Sequence, residues 1–388
     1  MEKVVYNHSD HSVLRQELRG YLRSIRKLSE ANYKKTIKKF DEVIFTEQRT
    51  GFINGKPVER LVIFLRGTGC SLTTETGGCT FCGFYNATNF GGRVSDEDYI
   101  RQINNILVTK ANELQKSEIV CLYNDGSMLN EKEISLNAVT SVLKIISGYK
   151  HLKKIVMEAR VEDISEKKLK AVKEATDLDL EISVGFESAN PMIRDLCINK
   201  SFDNSVFERN VAMANKYNIS IVPLLMLKPP FLSEKEAIDD YVESLRYLER
   251  FKLNRIDMEL PTIEKFTLMH ELWKRNMYSP SRLWSVVEIL KRKHDLNLKT
   301  KLYISPTSYS VPSESRASNC VECDTAMFNK FGEYNIIGDL SVFEQLDCQC
   351  KKDWMDIILH EQSSGTELPA RVRDLLNVLQ YDYAVSDT

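Results

Sequence analysis

No run of the sequence is long and apolar enough to span a bilayer, and the opening MEKVVYNHSDHSV has no apolar core of signal-peptide type. Both absences argue against a membrane protein or a secreted one, so the expected location is the reducing cytoplasm. No sign of charge dominates either. The 53 Lys and Arg are offset by 55 Asp and Glu, for a net charge of −2, so nothing pulls the whole chain toward nucleic acid or an anionic membrane. Internal repeats of solenoid type and low-complexity tracts are also missing. Local basic runs do occur at Lys34–Phe40, Lys291–Lys301 and Lys351–Trp354. They read as solvated helix faces, with an RNA footprint as the alternative.

Cysteine, by contrast, is present nine times. In a reducing compartment that number points to metal or redox chemistry rather than to structural disulfides. The placement is uneven. Cys70, Cys79 and Cys82 share one short loop, and Cys320, Cys323, Cys348 and Cys350 lie near the C-terminus. Cys121 and Cys197 stand alone beside apolar residues and read as small buried hydrophobes.

From about residue 60 onward, apolar β-rich runs alternate with amphipathic segments. The runs are RLVIFLRG (60–67), EIVCLY (118–123), KIVMEA (154–159), LEISVGFE (180–187), ISIVPLLML (219–227) and NRIDMEL (254–260). Near-continuous apolar strands are covered on both faces, and repeated strand–helix units build a parallel sheet with right-handed crossovers. Six such units form either a doubly wound sheet or an incomplete barrel. The three-cysteine loop follows the first run directly, and barrel enzymes carry their chemistry on such loops. The expectation is therefore an α/β fold, a partial (β/α)6 TIM-like barrel over residues 51–304. A helical extension over 1–50 precedes it, next to an extended pair in EVIFTEQRTGFINGKPVERL (42–61). A four-cysteine module with a closing helix occupies 305–388.

The loop GCSLTTETGGCTFCGF (69–84) offers three thiolates, no histidine nearby and no fourth cysteine. Three thiolates suit a [4Fe-4S] cubane with one iron left open for a ligand. A zinc knuckle with a distant fourth ligand is the competing reading. The glycine pair Gly77–Gly78 lets the backbone fold tightly around a bulky group, and Phe81 stands just before the last cysteine.

A three-cysteine loop after the first strand, ending Cys-x-aromatic-Cys, resembles the radical S-adenosylmethionine (radical SAM) superfamily, with eight and two intervening residues in place of the usual three and two. The resemblance implies a [4Fe-4S] cluster on Cys70, Cys79 and Cys82. It also implies reductive cleavage of S-adenosylmethionine to methionine and a 5′-deoxyadenosyl radical that takes a hydrogen atom from substrate. It places the cofactor against Phe81 and the turn Asp125–Gly126–Ser127, with Glu158 and Arg160 after the third strand and Glu187 and Ser188 after the fourth. Lys228, in LKPPF after the fifth strand, is expected to face the barrel mouth and contact a carboxylate.

Longer stretches, GGCTFCGFYN (77–86), VGFESANPMIRDLCINKSF (184–202), LMLKPPFLSEKEAIDD (225–240), LWSVVEIL (283–290) and the tail from Asn319 to Trp354, resemble the radical SAM partner of archaeosine synthase. That branch implies cleavage of a carbon–nitrogen bond in a lysine adduct of a 7-deazaguanine base of transfer RNA. It further implies an electron donor such as flavodoxin or ferredoxin, and a partner enzyme supplying the substrate. A free nucleoside or amino acid is the alternative substrate, and a zinc-binding RNA adaptor without catalysis the alternative of another class. The pairs Cys320/Cys323 and Cys348/Cys350 read as a closed structural zinc site, with an auxiliary iron–sulfur cluster as the alternative. Asp257 and Glu259 are expected near the end of the sixth strand, where a carboxylate meets a cationic amine. The aromatics of LWKRNMYSPSRLW read as core, with base stacking as the alternative.

Overall fold

The computed structural model describes residues 11–33, 39–307, 311–361 and 367–386. Most of the basic run Lys34–Phe40 thus lies outside the described residues. Among the described residues no helix is long and apolar enough to cross a membrane.

The strands are β1 (Phe45–Ile53), β2 (Lys56–Phe64), β3 (Ile119–Tyr123), β4 (Lys154–Ala159), β5 (Asp179–Glu187), β6 (Ile219–Met226), β7 (Arg255–Glu259), β8 (Thr262–Glu264), β9 (Lys301–Ile304) and β10 (Ser313–Arg316). Eight form one curled sheet in the order β1-β2-β3-β4-β5-β6-β7-β9. Every pairing from β2 to β9 is parallel, and β1 is antiparallel on the edge. The sheet is an open half-barrel. All six expected strands are present. A seventh parallel strand, β9, was hidden in a basic run.

The extended pair expected around 42–61 is a hairpin, and its second arm is the first barrel strand itself. Asn54 (φ 51°) and Gly55 (φ 77°) make the turn, a backbone shape that asparagine and glycine adopt at low cost. β1 therefore straddles the expected division at residues 50 and 51, because a paired hairpin arm cannot be cut from the sheet it extends.

Strand alternation sorts the two faces of the sheet. Leu61, Ile63 and Leu65 of the first strand segment join the large core beneath the outer helices. Val62 and Phe64 turn inward, where they meet Ile119, Cys121 and Val156. Cys121 and Cys197 are both fully buried, as small hydrophobes are.

At the base of the half-barrel the two ends of the sheet meet through side chains. Phe52 packs edge-on against Tyr303 at 5.9 Å between ring centroids, and the Lys301 ammonium lies 3.6 Å from the centre of the Phe52 ring.

The N-terminal helix α1 (Ser12–Tyr33) buries Leu14, Leu18, Tyr21, Leu22 and Ile25 in a second core. Val372, Leu376 and Leu379 of the closing helix Leu368–Ser386 belong to that same core. The closing helix therefore packs with the N-terminal extension rather than with the late cysteines. The late-cysteine segment instead contributes Met327, Phe331, Phe343 and Trp354 to the main core.

Candidate active site

The three-cysteine loop leaves β2 and enters the short helix α2 (Ser71–Thr76). Gly77 ends that helix in the left-handed conformation (φ 91°), and a Cβ there would lie 2.5 Å from Leu22 Cβ. Only glycine meets both demands, so α1 rests directly on the loop. Arg26 of α1 then reaches in. Its guanidinium donates to the carbonyls of Gly77 (2.9 Å), Phe266 (2.9 Å), Cys79 (3.2 Å) and Cys82 (2.5 Å). The segment after β5 holds the loop from another side. The Asn199 amide donates to the Gly78 carbonyl at 2.8 Å, and the Thr80 hydroxyl donates to the Cys197 carbonyl at 2.5 Å.

Cys70, Cys79 and Cys82 converge on the wall of a cavity of about 210 Å³ in the half-barrel. Burial pushes the Cys70 thiol up to about 12, and it raises Cys79 and Cys82 as well. Arg26, Arg160 and Lys200 oppose that shift electrostatically at one or more of the three. Such thiols lose their protons to a metal rather than to water. The sulfurs are not gathered as ligands of one ion would be. Among the described residues, that compact arrangement occurs only at the late cysteines, whose four sulfurs lie within 4.8 Å of one another. A cluster that offers each thiolate its own iron suits the wider spacing, so the donor set fits a polynuclear iron–sulfur group.

The same cavity is lined by Phe81, Asp125, Gly126, Glu158, Arg160 and Glu187, each from the end of a successive strand or from the cysteine loop. The turn after β3 is fixed from below. Glu158 accepts from the backbone N–H of Asn124 (2.5 Å) and Gly126 (3.3 Å), and burial pushes its carboxyl up to about 7. Arg160 donates to Asp163 (2.9 Å) and to the Ser71 hydroxyl (3.1 Å), tying the third loop to α2.

Three expected residues are not on the cavity wall. Ser188, the residue after β5, donates its hydroxyl to Asp240 at 2.8 Å, away from the cavity. The Ser127 hydroxyl accepts from the Arg160 backbone N–H at 3.2 Å, beneath the turn it was expected to line. Lys228 is buried in an ion pair with Glu234 at 2.8 Å, beside the Tyr278 ring. Its place is structural, because the mouth would leave that carboxylate buried and unpaired.

Four others carry much of the architecture and were not singled out by sequence: Arg26, Glu133, Lys200 and Glu264. Glu133 accepts from the backbone N–H of Ser71 (2.8 Å) and Ser127 (2.6 Å), joining the cysteine loop to the turn after β3. Lys200 pairs with Glu187 at 2.5 Å on the cavity wall. Glu264, on the small β8–β10 ribbon, accepts from the Gly83 N–H, and burial pushes it up to about 7. One of these had a usable signal, since Lys200 lies within the stretch VGFESANPMIRDLCINKSF (184–202).

Gly126 is required sterically. A Cβ there would lie 2.2 Å from the Glu133 carboxylate and 3.3 Å from Cys70 Cα. Glu133 cannot move without breaking its two backbone bonds. The Gly126→Ala variant is therefore expected to lose about 1–3 kcal/mol, the usual cost of overpacking. Urea unfolding checks this, and an unchanged midpoint would show that Glu133 has room to yield.

The aromatics Tyr278 and Trp284 are buried, as core residues are. In the run Lys291–Lys301, Arg292 is paired with Glu288 and Asp239, each at 2.7 Å.

No protein-family model matches the chain. An uncharacterized protein of Methanocaldococcus jannaschii, MJ0550, is 33% identical over 298 residues, spanning 76% of this chain and 80% of that one. Archaeosine synthase subunit beta of Methanosarcina acetivorans is 27% identical over 322 residues, spanning 82% of this chain and 91% of that one. Among solved structures, methylornithine synthase aligns over 91% of this chain and 93% of that one, at 10% identity and a TM-score of 0.40. At 33% identity over most of both chains, this chain belongs to one family with the M. jannaschii protein.

Proposed function

We propose that Cys70, Cys79 and Cys82 hold a [4Fe-4S] cluster and that the cavity beside them binds S-adenosylmethionine. The observation that carries this reading is the convergence of all three cysteines with Asp125, Gly126, Glu158, Arg160 and Glu187 on one cavity wall. When bound, the cluster supplies the electron that cleaves the sulfonium and so delivers a carbon radical. The chain's own part is to hold and shield. Arg26 and Asn199 fix the loop, Glu158 and Glu133 fix the turn after β3, and Arg160 and Lys200 place positive charge at the thiolates. Phe81 adds an apolar wall that keeps water away from the reacting atoms.

The substrate in this reading is a lysine-modified 7-deazaguanine nucleoside of transfer RNA, whose carbon–nitrogen bond breaks after hydrogen abstraction next to the amine nitrogen. Likeness to archaeosine synthase subunit beta over most of both chains supports it. A flavodoxin- or ferredoxin-type protein delivers the electron, a partner enzyme attaches the lysine, and the chemistry takes place in the cytoplasm. The late cysteines hold a single zinc ion.

The test is anaerobic incubation of the reconstituted full chain with S-adenosylmethionine, dithionite and transfer RNA bearing the lysine adduct. Formation of 5′-deoxyadenosine together with the shortened base is the expected result. Iron-replete protein that forms no 5′-deoxyadenosine would overturn the radical chemistry. Turnover of a free nucleoside or amino acid, but not of the transfer RNA, would overturn the substrate.

A further inference from the structure

The base of the half-barrel holds a cation that the reading above does not use. Arg60 lies on the inward face of β2, four residues before Phe64, hence about 13 Å below the strand's upper end at about 3.3 Å per residue. It lines the same cavity as the cysteines, from the opposite end. The residue is 6% exposed, and among the described residues its Nε has no hydrogen-bond partner. Among the described residues its guanidinium finds one hydrogen-bond acceptor, the Tyr303 hydroxyl at 3.4 Å, and it stands 5.6 Å from the centre of that ring. No ion pair forms at Arg60 among the described residues, while its neighbours are matched. Arg255 binds Glu181 and Asp257, each at 2.7 Å, and Lys154 adds a contact to Glu181 at 3.4 Å.

The sheet register sharpens the imbalance. Arg49 is the direct cross-strand partner of Arg60, and it lines the cavity too. Like charges set opposite each other on paired strands are destabilising, and a buried charge without a counter-ion costs several kcal/mol. Arg49 has Glu47 at 2.8 Å. The arrangement leaves Arg60 as a preformed place for an anion at the bottom of the cavity.

We propose that Arg60 binds the carboxylate of an amino-acid moiety of the substrate, with Glu259 and, shared with Arg255, Asp257 of the facing strand supplying the counter-charge for its α-ammonium. Both acids line the cavity, and the Ser305 hydroxyl donates to Glu259 at 2.6 Å. Those two carboxylates disfavour a phosphate dianion, whereas a zwitterion meets one positive and one negative wall. The inference rests on the cavity being the substrate site, and it assigns the floor to the amino-acid end of a lysine adduct, leaving the base to face the mouth.

Isothermal titration of the anaerobically reconstituted full chain, with S-adenosylmethionine present, tests this with four probes: L-lysine, L-lysinamide, cadaverine and inorganic phosphate. L-Lysine is expected to bind at least tenfold tighter than lysinamide or cadaverine. The Arg60→Gln variant is expected to lose that preference, and Arg60→Lys to regain part of it. Equal binding of lysine and lysinamide by the wild-type chain, no binding of lysine, or tighter binding of phosphate would each overturn the proposal. The comparison of ligands on the wild-type chain needs no variant to fold. Substrate-independent cleavage of S-adenosylmethionine by that chain is scored separately, so failure of the radical reading and failure of the carboxylate subsite are distinguishable.

Discussion

Arg26→Met is expected to destabilise the chain by at least about 3 kcal/mol and to leave it with less than half the iron of the wild type after anaerobic reconstitution. The size follows from what the side chain holds. Four backbone carbonyls, at Gly77, Cys79, Cys82 and Phe266, receive their hydrogen bonds from one buried guanidinium. Methionine fills part of the volume and donates nothing. Each carbonyl left buried without a donor costs roughly 1–3 kcal/mol. The loss falls on the segment that carries two of the three cysteines, so loop geometry and stability fail together. Arg26→Lys is expected to recover part of the stability and little of the iron, since one ammonium cannot span four acceptors in a fork. Urea unfolding and iron quantitation read the two effects. A variant with full iron content would show that the cluster loop holds itself in place.

That arginine also marks the limit of what the sequence discloses. The barrel strands were legible because strands covered on both faces are apolar almost throughout, as LVIF of β2 and IVCLY of β3 are. β9 was not, because it opens on Lys301 at the end of a lysine-rich run, and its burial comes from docking on β7 and against the helix Asp324–Ile337, whose Asn335 bonds both the N–H and the carbonyl of Ile304. The cysteine loop was legible from spacing and glycine alone. Arg26 was not, because one arginine on a helix rich in Arg, Lys and Glu looks like a solvated face until α1 is laid on the loop. Glu187 and Ser188 show a finer limit. β5 ends on Glu187 in a left-handed conformation (φ 65°), so one short motif carries Glu187 into the cavity and Ser188 away to Asp240, a turn that the residue order does not announce. Lys228 follows the same logic from another direction: the Glu234 carboxylate, in the first turn of the following helix, captures it.

Replacing Cys323 with serine is expected to remove one zinc ion per chain and at least about 3 kcal/mol of stability, a fraction of the roughly 10–16 kcal/mol that zinc contributes to isolated finger peptides. The geometry favours a mononuclear ion. Sulfur–sulfur distances are 3.5 Å for Cys320–Cys323, Cys320–Cys348 and Cys323–Cys350. Tetrahedral zinc with bonds of about 2.3 Å places its sulfurs about 3.8 Å apart, whereas a cubane gives each thiolate a separate iron and holds them further apart. The consequences reach the barrel rim. Trp284 Nε1 donates to Cys350 Sγ at 3.3 Å, and Trp354 Nε1 donates to the Ser285 hydroxyl at 2.9 Å. Ser285 in turn donates to Glu234 at 2.5 Å, the partner of Lys228. Loss of the ion therefore loosens both tryptophans and the segment after β6. Metal analysis and unfolding followed by tryptophan fluorescence measure the effect. Iron and acid-labile sulfide retained by a chain lacking Cys70, Cys79 and Cys82 would replace the zinc ion with a second cluster.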